Sequence, residues 1–173
     1  MEIREATAQD VAAIARIHVT SWRVAYAGKL PQTVVAQHSY AQRQKLWQQR
    51  YQTDGVLVAE DNQVILGFIA GGPQRSHPAI NDTYPQEVYG LYVDPARQQR
   101  GVGYRLWQAR VADWSGWTAD CLASNHSALR FYTRQGAQLV QAGEYVAERQ
   151  TFPTRVLGFQ RPVATAQDEE SAT

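Results

Sequence analysis

The chain has 173 residues, 44% of them hydrophobic, with 17 Lys plus Arg against 16 Asp plus Glu and a formal net charge of +1. That length and apolar content fit one domain around one sizeable core, and the charge balance gives no whole-domain attraction to nucleic acid or an anionic membrane. The single cysteine, Cys121, excludes an intrachain disulfide framework. Residues Met1–Glu5 carry no apolar signal-peptide core, and no apolar run reaches the roughly 20 residues of a membrane span. The expectation is a cytoplasmic protein with no nucleic-acid or membrane partner.

Glu2–Ala6 alternates weakly and reads as a short strand, after which Thr7 or Asp10 can cap a helix. Val11, Ile14, Ala15, Ile17 and Val19 repeat at a period of about 3.6 residues, which predicts an amphipathic helix. Its far end carries Trp22 and Tyr26, and Gly28 and Pro31 stop it. A second, mostly polar helix is expected over Val34–Tyr51, anchored by Leu46 and Trp47. Val56–Ala59 and Val64–Ala70 flank Asp61-Asn62 and read as a hairpin. Gln74–Pro85 reads as a surface loop.

Glu87–Val93 is rich in strand formers and stops at Asp94-Pro95. A loop of Arg and Gln then leads to Gly101-Val102-Gly103 and a helix from Tyr104 to Trp114. Thr118–Ala123 is a short strand, and Asn125–Gln135 a helix with a cap residue at its start and Gly136 after its end. Leu139–Val146 and Thr154–Phe159 are strand regions. The small, polar tail from Pro162 is expected to be disordered, leaving residues 1–161 as the domain. This order mixes an antiparallel meander with crossover helices, so the fold class is a mixed α/β sheet rather than a doubly wound parallel one.

The segment strand, Gln98-Gln99-Arg100-Gly101-Val102-Gly103, helix carries the most chemical information. A helix start has unpaired N–H groups and a positive dipole end, so it attracts phosphate where side chains leave room. The bland alternative is a plain glycine turn. Two familiar phosphate loops are excluded on spelling: there is no G-x-x-x-x-G-K-[ST], and Leu106 stands where a dinucleotide fingerprint needs its third glycine.

Gln98, Gly101 and Gly103 resemble the pyrophosphate motif [Q/R]-x-x-G-x-[G/A] of the GNAT N-acetyltransferase superfamily, and Leu91–Pro95 resembles its lead-in. Asn125, Ala128, Phe131 and Tyr132 resemble the family's second motif, N-x-x-A-x-x-[F/L]-Y, with Gly136 in the place of its terminal glycine. Ala137 departs from the Phe that commonly follows. The resemblance covers roughly residues 1–160. It implies a mostly antiparallel, splayed sheet with helices on both faces, in which Glu87–Val93 parts from Thr118–Ala123. Acetyl-CoA is then the co-substrate and no metal is needed. Main-chain groups of Leu91 and Val93 would meet pantetheine, and the cofactor-binding set would be Leu91, Tyr92, Val93, Gln98, Gln99, Arg100, Gly101, Val102, Gly103, Tyr104, Asn125 and Tyr132.

Acetyl transfer to an amine requires a deprotonated amine, a stabilised thioester oxygen and a proton for the departing thiolate. The motif position of Tyr132 implies the last role, with aromatic packing as the alternative. Glu87 is the candidate base, since its spacing to Gly101 looks like that of the catalytic glutamate in histone-acetylating relatives; otherwise it is a solvated strand-end carboxylate. Asn125 either bonds the cofactor or caps its helix, and Trp22 and Tyr26 are either core or the wall of the acceptor pocket. Cys121 reads as a buried strand residue, and the four His have no metal-ligand spacing. The expected partner is a small-molecule or peptide primary amine, and a homodimer is left open. Two rival readings are a non-catalytic acyl-CoA sensor and an interaction module that uses the basic loop Arg97–Arg100.

Overall fold

The computed structural model describes residues 1–98 and 100–161, so the expectations for Gln99 and for the tail from residue 162 lie outside it. Seven strands form one sheet in the order β1 (Glu2–Glu5), β2 (Leu57–Asp61), β3 (Val64–Pro73), β4 (Gln86–Val93), β5 (Gly116–Leu122), β7 (Gln150–Gln160), β6 (Gln138–Ala147). Every neighbouring pair is antiparallel except β4–β5. One face is covered by α1 (Val11–Tyr26), α2 (Gln32–Ala36) and α3 (Tyr40–Arg50), the other by α4 (Val102–Arg110) and α5 (His126–Arg134). The expected fold class is the observed one.

Two hairpins are closed by adjacent residues in the left-handed region: Asn62-Gln63 (φ 48° and 64°) between β2 and β3, and Glu148-Arg149 (φ 50° and 62°) between β6 and β7. Such two-residue turns match the right-handed twist of the strands they join. The expected single helix over Val34–Tyr51 is instead two. Ser39 breaks it by capping α3: its Oγ accepts from Gln42 N at 3.3 Å, and Gln42 Oε1 accepts from Ser39 N at 3.3 Å. This reciprocal box starts a new helix in a new direction. His38 and Arg43 thereby come over the sheet beside α1.

The parallel ladder is short. Gln86, Glu87 and Val88 pair with Trp117, Thr118 and Ala119, and beyond that point β4 and β5 are no longer paired. At the same level, the β3–β4 register shifts between Ala70 and Gly71, which face Gly90 and Val88. The extra β4 residue, Tyr89, is a bulge, and bulges bend a strand and sharpen its twist. A bulge there turns the second half of β4 away from β5.

On the α4–α5 face the core is aromatic. Trp107 packs at 4.9 Å from Phe159 and 5.3 Å from Tyr132, and Trp117 stacks on Phe159 at 5.6 Å. On the other face Val11, Ile14, Ile17 and Trp47 bury against Val58 and Phe68. The start of α1 is fixed by ionic bonds. Arg4 Nη1 and Nη2 donate to the two carboxylate oxygens of Asp10 at 2.7 and 2.9 Å, and Arg4 Nε donates to Glu60 at 2.7 Å. Asp10 also accepts from Thr7 N and Oγ. The Arg4 bonds, aided by those from Thr7 and opposed by burial, lower the Asp10 pKa from 3.8 to about 2.

A lowered carboxyl pKa stabilises the fold above its unfolded value and loses that contribution as pH falls through the folded one. Asp10→Asn should therefore be less stable than the wild type at neutral pH in urea unfolding. The gap should close as pH drops from about 4 towards 2. A gap independent of pH would mean that the Asp10 charge does not hold α1.

Candidate active site

Where β4 leaves β5, its main chain faces open space. Asp94 N donates to Leu66 O on β3 at 2.9 Å. Main-chain groups alternate sides along an antiparallel strand, so Tyr92 also faces β3 while Leu91 and Val93 face the gap. The Val93 carbonyl accordingly accepts from Ser21 Oγ at 2.9 Å and Gln98 Nε2 at 3.4 Å rather than from β3. Tyr92 is set differently from its expected companions. Its ring lies on the α1 face, stacked on His18 at 4.4 Å and Phe68 at 5.2 Å.

The N-terminus of α4 closes one end of this gap. Gly101 is its N-cap at φ +74°, a backbone state that costs a residue with a Cβ. Val102, Gly103 and Tyr104 form the first turn, whose N–H groups have no intrahelical acceptor. Val102 is buried, while Arg100 and Tyr104 are exposed. A Cβ on Gly103 would sit 3.6 Å from Val93, 3.8 Å from Phe131 and 4.0 Å from Leu91. The glycine therefore looks into the space between β4 and α5, and that space, beside a helix start, suits the pyrophosphate of a coenzyme A. The extended strand edge of Leu91 and Val93 suits its amide-bearing arm.

Tyr132 lies on the inner side of the same space, 7% exposed and ringed by Trp107, Phe131 and Phe159. Burial, reinforced by Cys121, Tyr92, Tyr26 and Asp120, pushes its phenol well above the usual tyrosine range. Tyr132 shares its apolar cluster with Val88 of β4 and with Ala119 and Cys121 of β5, so it stands at a junction of both splayed strands. Burial first, then Asp120, raises the Cys121 thiol to about 11, which keeps it protonated and inert as expected. Asn125 caps α5, its Oδ1 accepting from Ala128 N at 3.2 Å, and its Nδ2 donates to the Tyr26 hydroxyl at 3.5 Å. Tyr26 is thus drawn to the site, and Trp22 packs on Tyr26 at 4.2 Å.

Glu87 is at the splay point but is only 5% exposed, and its carboxylate is engaged. Oε1 accepts from Ser76 Oγ at 2.5 Å, and Oε2 accepts from the N–H groups of Ser76 and Arg75 at 2.9 and 3.1 Å. It pins the loop after β3. That loop brings His77 Nε2 to 2.6 Å from Asp120 Oδ2, the first β5 residue beyond the parallel ladder. Sequence reasoning missed this pair. Nothing in the spacing of residues 43 positions apart joins them, and only the loop anchor does.

On the α1–α3 face a cavity of about 110 Å³ is lined by His18, Trp47, Arg50, Arg75, Tyr89 and Tyr92, among others. Its wall is aromatic, and Asp54, which also lines it, pairs with Arg75 at 3.4 Å. Trp47 Nε1 donates to His18 Nδ1 at 3.0 Å, and burial, with the charges of Arg43 and His38, lowers the His18 pKa to about 3. A shallower depression of about 450 Å³ lies on the outer surface of α5, around Leu129 and Arg130. Among the described residues no three His, Cys, Asp or Glu side chains are grouped to hold a metal, and no helix is long and apolar enough to cross a membrane.

The profile of the acetyltransferase (GNAT) family matches residues 11–137. The chain belongs to that family. It is similar to the uncharacterized N-acetyltransferase YuaI of Bacillus subtilis, 34% identical over 105 residues. This alignment covers 60% of this chain and 58% of that relative's length. Among solved structures, the fold is shared with yncA, a putative acetyltransferase of Salmonella typhimurium solved with its cofactor acetyl-CoA. That likeness has a TM-score of 0.66 at 24% identity, over 95% of this chain and 99% of that one. The PaiA N-acetyltransferase of Thermoplasma acidophilum, in complex with coenzyme A, matches with a TM-score of 0.68 at 16% identity, over 92% and 98%.

Gly103→Glu should abolish acetyl-CoA binding in calorimetry while thermal unfolding stays cooperative. The Cβ meets only ordinary contacts, and the carboxylate would occupy the phosphate position with the wrong charge. Unchanged affinity would remove the pyrophosphate from this helix start.

Proposed function

We propose that the protein transfers the acetyl group of acetyl-CoA directly to a primary amine of a small molecule or peptide. The observation that carries this reading is the splayed strand edge of Leu91 and Val93, ending at the Gly103 helix start with Tyr132 beside it. Bound there, acetyl-CoA supplies an acyl group activated as a thioester. The near-balanced charge of the chain supports an enzyme that acts without nucleic acid or an anionic membrane, and the reading takes it as cytoplasmic.

Tyr132 is the group assigned to hold a proton against the departing sulfur. Its raised pKa keeps the phenol protonated at neutral pH, and a free thiol ionises near about 8.5, so sulfur leaves as an anion that a fixed donor stabilises. An alkylammonium, with a pKa near about 10.4, has to give up a proton before it can attack. Glu87 is the base implied by resemblance, but its oxygens already accept three hydrogen bonds from the loop. We assign the proton to His77, oriented by Asp120, and give Glu87 the task of positioning the loop that carries His77.

Tyr132→Phe should lower turnover by about 10²–10⁴-fold, a general-acid-sized loss, and leave acetyl-CoA affinity nearly intact, because the ring still packs. A change within twofold would make Tyr132 purely structural.

The two candidate bases separate in pH–rate profiles. His77→Gln should depress turnover at neutral pH and recover as pH rises and free amine accumulates. Glu87→Gln should lower the rate without changing the profile's shape. The reverse pattern would return the base role to Glu87.

A further inference from the structure

Three buried polar atoms without a hydrogen-bond partner gather on one side of the splay: Trp22 Nε1, His38 Nδ1 and Arg43 Nε. Trp22 stacks on His38 at 3.9 Å with 12° between the planes. The charge of Arg43, after burial, lowers the His38 pKa to about 4. Arg43 lies on α3 one turn before Trp47, whose indole donates to His18 on α1, so it is on the α1-facing side of its helix, and its charge also acts on Tyr92 and Tyr145. Burial lowers its own pKa, and among the described residues it has no carboxylate partner. The Trp indole and the Arg Nε can only donate. Two donor-only groups buried and unpaired among aromatic rings are costly unless an acceptor comes to them, and an anion compensates a buried guanidinium best.

The opposite sign is found across the splay, where Asp120 and Glu87 flank His77. Tyr26 bridges the two regions by contact, packing on Trp22 at 4.2 Å while its hydroxyl accepts from Asn125 Nδ2, just beyond β5, at 3.5 Å. An acceptor whose amine approaches the acidic side would bring its other end towards Arg43.

We propose that the acceptor is a small zwitterion, an amine carrying a carboxylate as in a free amino acid, with its oxyanion bound by the Arg43 guanidinium and the Trp22 indole N–H. This rests on the acetyl transfer reading above and narrows its substrate class. A peptide acceptor joined through its own carboxyl group, or a polyamine, lacks the anion that these donors call for.

The test compares the common L-amino acids with their carboxamides as acceptors, following thiol release from acetyl-CoA. The wild type should favour the free carboxylate in kcat/KM by about 10–100-fold, the scale of hydrogen bonds to a charged group. Arg43→Gln should lower kcat/KM for the free acids by about 10–100-fold more than for the carboxamides, and so erase that preference, with acetyl-CoA affinity within about twofold. Trp22→Phe, which keeps the ring and its stacking, should reduce the preference severalfold. Carboxamides used as well as acids by the wild type would overturn the proposal. So would equal losses for both in Arg43→Gln. If acetyl-CoA binds but no amine of either series, nor any polyamine, releases thiol, the acetyl transfer reading fails with it; turnover of polyamines alone would overturn the zwitterion only.

Discussion

The architecture depends on a parallel ladder that lasts for three residue pairs and then stops. A buried strand edge is costly because each N–H and C=O without a partner loses its hydrogen bonds to water. Most sheets solve this by continuing the ladder. Here the bulge at Tyr89 twists β4 out of register with β5, and the edge of Leu91 and Val93 is turned towards a cleft. An edge in that position is costly to an isolated fold and well suited to an extended amide ligand. The Ser21 and Gln98 bonds to the Val93 carbonyl are a partial local remedy, because they satisfy one acceptor and leave the neighbouring donors.

The sheet divides the remaining work between its faces. The α4–α5 side provides a rigid aromatic bed of Trp107, Trp117 and Phe159, from which Tyr132 and Gly103 are presented to the cleft. The α1–α3 side carries titratable groups among its aromatic rings, with His18 and His38 held neutral by burial and by Arg43. In the proposed function, one face would hold the acyl donor and the other would discriminate among acceptors. Asp10 and Arg4 link the two, since the orientation of α1 sets both Ser21 against β4 and Trp22 against His38.

Local signals made the donor side legible in the sequence. Gly101 and Gly103 follow a strand and open a helix, and Asn125 to Tyr132 lie on one helix behind its cap, so local pattern places those residues on their elements while the family resemblance implies their roles. The order of elements along the chain, and from it the mixed α/β class, could be read from local patterns too, whereas the order of strands in the sheet could not. The side proposed for the acceptor could not, because its contacts join distant positions: His77 with Asp120, Trp22 with His38, Asn125 with Tyr26. The helix expected to run unbroken over Val34–Tyr51 hid Arg43 and His38, because the Ser39 box outweighs the general polarity of that stretch. Glu87 was found by its position, but its hydrogen bonds to Ser76 and Arg75 belong to a loop with no periodic pattern.

Amide hydrogen exchange along β4 is the most direct test that the splayed edge is the docking strand for the acyl donor. Asp94 N already donates to β3, and Tyr92 faces the same way. Addition of acetyl-CoA should therefore slow exchange strongly at one or both of Leu91 and Val93 and change Tyr92 and Asp94 little. Uniform protection along the strand, or none at Leu91 and Val93 while acetyl-CoA is bound, would contradict the account.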